Sequence, residues 1–113
     1  MEFAEREEMN LRKTIQVKEK IKYLRDYLSN DALYEQLAEE CCELAQASLK
    51  YLRSTGNGNP TPVDQKEAFI HILEEATDVY LCMLVNDIFP DMYHLEEKLD
   101  RWYGRVKEVN HEQ

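Results

Sequence analysis

Residues 38–47, Ala38-Glu39-Glu40-Cys41-Cys42-Glu43-Leu44-Ala45-Gln46-Ala47, and residues 72–79, Ile72-Leu73-Glu74-Glu75-Ala76-Thr77-Asp78-Val79, decide how this chain is read. Each embeds an acidic pair at i, i+3, Glu40 with Glu43 and Glu75 with Asp78, in a run whose other residues, apart from Glu39, Gln46, Glu74 and Thr77, are apolar or small. On a helix, side chains three residues apart stand on neighbouring turns and share one patch of space. Like charges placed this way repel by a few tenths of a kcal/mol in water (roughly 0.2–0.5), and by much more when desolvated. No Lys or Arg lies three or four residues from any of the four acids, so no local salt bridge offsets the repulsion. A hard divalent cation would.

Outward from these runs the chain reads as helical throughout. Only three Gly and three Pro occur in 113 residues, and two of each fall between Gly56 and Pro62, which marks one loop and leaves long uninterrupted segments on either side. The spacing of apolar residues and the breakers predict four helices, at about 10–27, 31–53, 65–89 and 91–109. Val17, Ile21, Leu24 and Leu28 form the stripe of the first, and Met92, Leu95, Leu99, Trp102 and Val106 that of the fourth. Ser29-Asn30-Asp31 supplies a break followed by a cap, Asp64 caps the third helix, and Pro90-Asp91 ends it. A single all-α domain over residues 1–113, an up-and-down four-helix bundle, is the expected fold.

At about 100° per residue, Glu40 falls close to the core direction set by Leu33, Leu37 and Leu44, and Glu43, Ala47 and Lys50 follow along its flank. The third helix is apolar over most of its circumference. Its polar residues His71, Glu75, Asp78 and Asn86 gather in one strip. A helix apolar on two sides must be covered on two sides, so the first and fourth helices are expected against one and a second subunit against the other.

The formal charge of −9 concentrates on the same segments: residues 31–53 hold five acids and two bases, residues 66–88 five acids and one base, and the remainder is nearly balanced. Such a field opposes binding to a nucleic-acid backbone and favours a cation, or a phosphate ligand that arrives with one. The start of the chain lacks the basic and apolar run of a signal peptide, and no stretch has the ~18 apolar residues of a membrane span; a cytoplasmic protein is expected. Cys41 and Cys42 are adjacent and Cys82 stands alone, with no C-x-x-C spacing, which speaks against zinc or redox chemistry.

Carboxylates from two facing helices form an oxygen-only ligand set suited to Mg²⁺ or Mn²⁺. A di-iron bundle would instead call for Glu-x-x-His motifs, and His71 precedes Glu75 by four rather than following a Glu by three. The ordered pair of motifs, Glu39-Glu40-Cys41-Cys42-Glu43 and then Glu74-Glu75-Ala76-Thr77-Asp78, resembles the E-E-x-x-E and E-x-x-D signature of MazG-like nucleotide pyrophosphohydrolases, in the all-α NTP pyrophosphatase superfamily. The resemblance covers about residues 30–88. It implies a helix-mediated homodimer or homotetramer, Mg²⁺ dependence with Mn²⁺ as the alternative, and hydrolysis of a (deoxy)nucleoside triphosphate to the monophosphate and pyrophosphate, in nucleotide-pool cleaning or regulation. By motif position it implies Glu40, Glu43, Glu75 and Asp78 as metal ligands.

Glu39, beside the ligands but turned outward, is the candidate to orient or deprotonate the attacking water; it also reads as a solvated surface Glu. Lys50 is placed to meet a phosphate oxygen, or to snorkel at the helix end. Asn86 is placed to donate to phosphate or sugar, or to make a polar contact between subunits. His71 reads as a packing or hydrogen-bonded neighbour of the ligands, and Trp102 and Tyr103 as core aromatics or stacking partners for a base. Two other functions share these features: a non-catalytic helical interaction module, and a phosphoribosyl-ATP pyrophosphohydrolase of the same superfamily. Neither partner reading involves a nucleic-acid polymer or a membrane.

Overall fold

In the computed structural model, which describes residues 2–112, four α-helices follow one another: α1 (Phe3–Tyr27), α2 (Asn30–Ser54), α3 (Gln65–Val85) and α4 (Met92–Glu112). There is no strand among the described residues. Residues 1 and 113 of the expected single domain lie outside them.

The helix ends follow from local chemistry. α1 starts seven residues earlier than apolar spacing predicts, because residues 3–9 are mostly good helix formers without Gly or Pro, and helix propensity carries the helix past its apolar stripe. Glu8 and Arg12 support this stretch as an i, i+4 pair at 2.7 Å. Ser29 caps α2, its hydroxyl accepting from the Ala32 N–H at 3.1 Å, so the helix opens at Asn30 and Asp31 sits in its first turn near the positive end of the helix dipole. Asp64 caps α3 as expected, accepting from the Lys66 and Glu67 N–H groups at 2.8 and 3.2 Å. Asp91 does the same for α4, accepting from the Tyr93 N–H at 2.9 Å.

α3 ends at Val85, short of the expected Phe89. The cause is a Schellman turn: the Ile88 N–H donates to Met83 O at 2.9 Å and the Asp87 N–H to Leu84 O at 3.2 Å. Asp87 occupies the left-handed position usually filled by Gly, with φ of 58°, a conformation that Asp tolerates better than most residues. Because no Gly marks the turn, the apolar pattern runs on through Ile88 and Phe89 without a visible stop.

Packing is concentrated in the antiparallel hairpin of α2 and α3, and α1 rests on α3; α4 makes no comparable packing against the other three helices. Among the described residues the buried apolar side chains belong to the hairpin: Leu33 and Val85 near one end, Ala47 and Ala68 near the other, each 2–6% exposed. Two alanines near the loop end fit a close helix approach, and Tyr51 lies across the gap from Phe69 with ring centroids 5.9 Å apart. The other end is tied by Asn86, which donates to Leu33 O at 3.2 Å. Contacts at both ends fix one register, and that register sets Glu40 facing Asp78 and Glu43 facing Glu75. α1 is clamped by Arg25, whose guanidinium donates to Val85 O at 2.9 Å and Leu84 O at 2.7 Å and so meets the negative end of the α3 dipole.

The chain is open. Its radius of gyration is 19.4 Å, against about 13 Å for a compact chain of this length. Leu95, Leu99, Trp102 and Val106 of α4 are all exposed, Trp102 by 64%, as are Phe69, Ile70, Leu73 and Leu81 of α3.

Candidate metal centre

The hairpin register gathers the acids near its middle. One carboxylate oxygen from each of Glu40, Glu43 and Glu75 lies within 4.8 Å of the other two. Glu40 is half-buried and the Glu75 side chain keeps 12% of its exposure, whereas Glu43 is open to solvent. Oε2 of Glu40 and Oε2 of Glu75 are out of contact with water and have no hydrogen-bond partner. Buried carboxylate oxygens without a partner are costly and uncommon, and call for an explanation.

The electrostatics agree. The Glu40 carboxyl is pushed above its ordinary value of 4.5, first by burial and then by the charges of Glu43 and Asp78, while a hydrogen bond from Gln36 acts in the opposite direction. That bond, Gln36 Nε2 to Glu40 Oε1 at 2.8 Å, holds one oxygen and leaves the other free. The Cys82 thiol is likewise raised, by burial and then by Glu40 and Asp78, which keeps it protonated as a small apolar filler.

Two hollows flank the acids. One, of about 320 Å³, is lined by Glu43, Gln46, Ala47, Lys50, His71 and Glu75. It brings Lys50 to the acidic group, and its His71 ring reaches Glu74 at 3.7 Å and Glu75 at 3.6 Å. The other, of about 340 Å³, opens between α1, α2 and α3 and is walled by leucines, with Gln36, Glu40, Asp78 and Asn86 as polar residues on its lining.

The expected site residues therefore divide. Glu40, Glu43 and Glu75 converge; Asp78 stands beside Glu40 on the leucine-lined side; Lys50 joins Glu43 and Glu75 on the polar side. Glu39 is exposed and lines neither hollow. Asn86 sits at the far end of the leucine-lined hollow, and both hydrogens of its amide are already given to Leu33 O and Cys82 O, so donation to a phosphate or sugar is not open to it; only its oxygen is. Trp102 and Tyr103 are exposed on α4 rather than part of a core. Sequence reading missed Gln36, although its place four residues before Glu40 on one helix is a visible signal. It also missed Leu24 and Leu28 as walls of a hollow, which only the docking of α1 reveals.

No helix among the described residues is long and apolar enough to cross a membrane. Comparison with known proteins finds no matching family model, no matching curated protein and no matching solved structure.

Proposed function

We propose that the chain is a Mg²⁺-dependent nucleoside triphosphate pyrophosphohydrolase of the MazG-like type, cleaving a (d)NTP to the (d)NMP and pyrophosphate in the cytoplasm, with Mn²⁺ able to replace Mg²⁺. The observation that carries this reading is the pair of buried, unpartnered carboxylate oxygens on Glu40 and Glu75 within a group of three converging acids. Oxygen donors of this kind fit a hard divalent cation, and coordination would answer both the missing hydrogen bonds and the repulsion. Glu40, Glu43 and Glu75 would hold it, with Asp78 beside Glu40. When bound, such a cation offsets phosphate charge and makes water a better nucleophile.

The chain's own groups supply the remainder. Gln36 fixes the Glu40 carboxylate by donating to Oε1. Lys50, on the wall of the polar hollow, presents an ammonium to the triphosphate, the one Lys or Arg on a lining otherwise acidic or neutral. His71, bracketed by Glu74 and Glu75, restrains the Glu75 rotamer. Glu39, adjacent to Glu40, is the proposed base for the attacking water, a role that requires the substrate to extend beyond the two hollows, since Glu39 lines neither.

The active form is a homodimer or homotetramer. A chain that, among the described residues, buries four apolar side chains within its hairpin while leaving the α4 stripe and much of α3 in water has too little core for its size.

Pyrophosphate release from a panel of dNTPs, NTPs and phosphoribosyl-ATP in Mg²⁺ tests the activity, with Glu40→Gln and Asp78→Asn as controls. Release by the wild type and its loss in both variants is expected. Equal background from all three proteins would overturn the enzyme reading in favour of a non-catalytic helical module, and turnover of phosphoribosyl-ATP alone would move the protein to histidine synthesis.

A further inference from the structure

The near balance of charge outside the acidic segments hides a second segregation. Residues 12–25 of α1 hold six bases and one acid, in a chain of formal charge −9. Three of the bases are paired: Arg12 with Glu8, Lys22 with Asp26 and Arg25 with Asp87. Lys13, Lys18 and Lys20 are exposed and make no ion pair among the described residues. They are ordered about a stripe. At about 100° per residue, Val17, Ile21, Leu24 and Leu28 share one face, with Lys13 and Lys20 along one border and Lys18 and Arg25 along the other. Each border pair is seven residues apart, so the cations hold the flanking heptad positions that set partner choice between paired helices.

Only the C-terminal end of this face is used within the chain. Leu24 and Leu28 wall the leucine-lined hollow, and Arg25 holds the end of α3. Toward the N-terminus Val17 is exposed, and Lys13 stands about 18 Å along the helix from Arg25. The α1 of a second copy would set cation against cation here, which opposes pairing. The outward face of α3 has the complementary pattern. Ile70, Leu73 and Tyr80 are exposed on it, and Glu67 and Glu74, also exposed and seven residues apart, follow one border. α1 does not lie along this face in its own chain, since Val17, Ile70 and Leu73 are all in water.

Resting on the homo-oligomeric reading, we propose that the basic segment of α1 docks on the outward face of α3 of a second copy, with its lysines against the border of Glu67 and Glu74. Each chain then lends an arm and receives one. Exposed ion pairs are individually weak, so the arm fixes which faces meet and in which orientation, and the α4 stripe supplies the greater part of the apolar burial.

Charge reversal tests the docking. Lys13→Glu, Lys18→Glu and Lys20→Glu together in one variant, and Glu67→Lys with Glu74→Lys in another, each set like charges face to face in their own assemblies. All five positions are exposed, so helicity by circular dichroism should be unchanged. Each variant alone should assemble about tenfold more weakly or worse, its light-scattering mass moving toward the 13.5 kDa of one chain. An equimolar mixture should regain the wild-type mass, because every arm then meets a surface of opposite sign. Pairing within one chain is not rescued by mixing, so a mixture that stays dissociated would overturn docking on a second copy. For wild type, raising NaCl from about 0.05 to 0.5 M should weaken assembly about tenfold. An oligomer indifferent to salt and to both reversals would overturn the inference and leave the oligomer standing; binding of wild type, but not of the lysine variant, to phosphatidylserine vesicles would then assign the arm to a lipid surface. A wild type with the mass of one chain at every salt concentration would overturn both readings.

Discussion

The α2–α3 hairpin is richer in apolar residues than α4, and the two end in opposite states. The hairpin closes on Leu33, Ala47, Ala68 and Val85 and fixes its register at both ends, through Asn86 to Leu33 O and through Tyr51 against Phe69. α4 has an equally regular stripe, but that stripe faces water. A site that depends on opposed carboxylates needs the first kind of scaffold, where rotamers and helix spacing are held by packing. The second kind leaves its stripe in water. Changes in the hairpin should alter chemistry, and changes in α4 should alter assembly.

The largest effect should follow from Glu40→Gln, which keeps the shape of the side chain and its i, i+4 neighbour Gln36 while removing the charge. Pyrophosphate release should fall on the order of 10²–10³-fold, with helicity by circular dichroism unchanged. Loss of folded structure instead would mean that the acids support the hairpin rather than chemistry.

Leu99→Glu on α4 makes the opposite prediction. Mass measured by light scattering should drop from an oligomer to the 13.5 kDa protomer. An unchanged mass would show that the stripe of α4 is not the assembly surface and would break the division between the two regions.

Arg25→Met should lower stability by about 1–2 kcal/mol in chemical denaturation, because two charge-assisted hydrogen bonds to the α3 C-terminus are lost and the guanidinium is partly exposed. Lys50→Ala should raise KM about tenfold with a smaller change in kcat. The reverse pattern, a fall in kcat alone, would place Lys50 at the developing charge rather than at the bound triphosphate.

The smallest effect concerns pH. Since folding raises the Glu40 carboxyl above 4.5, the metal-free folded state holds that proton more tightly than the unfolded chain does. Glu40 therefore favours the folded state most at pH values below its ordinary pKa, and that contribution is lost as pH rises through the folded value. Denaturation midpoints in EDTA should show a component that rises as pH is lowered from neutrality toward 4.5, and Glu40→Gln should remove it. Saturating Mg²⁺ should suppress it as well, by displacing the proton.

Much of this layout was legible in the sequence because its signals are local. The acidic pairs, the Asp64 cap and the loop of Gly56 to Pro62 each declare themselves within a few residues, and helical spacing alone put Glu40 inward and Lys50 on its flank. The end of α3 was hidden because Asp87, not Gly, takes the left-handed position, so the apolar run gives no warning. Arg25 and the leucine-lined hollow were hidden for a different reason: both depend on where α1 docks, and a helix with no buried residue encodes its docking in one long side chain rather than in a pattern. Asn86 was expected within the third helix but caps its end, and its donors were assigned outward because the carbonyls it serves, Leu33 and Cys82, come together only in the folded hairpin.

Mn²⁺ titration followed by electron paramagnetic resonance of the free ion tests the central claim most directly. Wild-type protein should show saturable binding that Mg²⁺ displaces and that Glu40→Gln and Glu75→Gln each weaken at least tenfold, while Leu99→Glu leaves it in place. Equal, non-saturating binding by wild type and both carboxylate variants would contradict a metal centre at Glu40, Glu43 and Glu75.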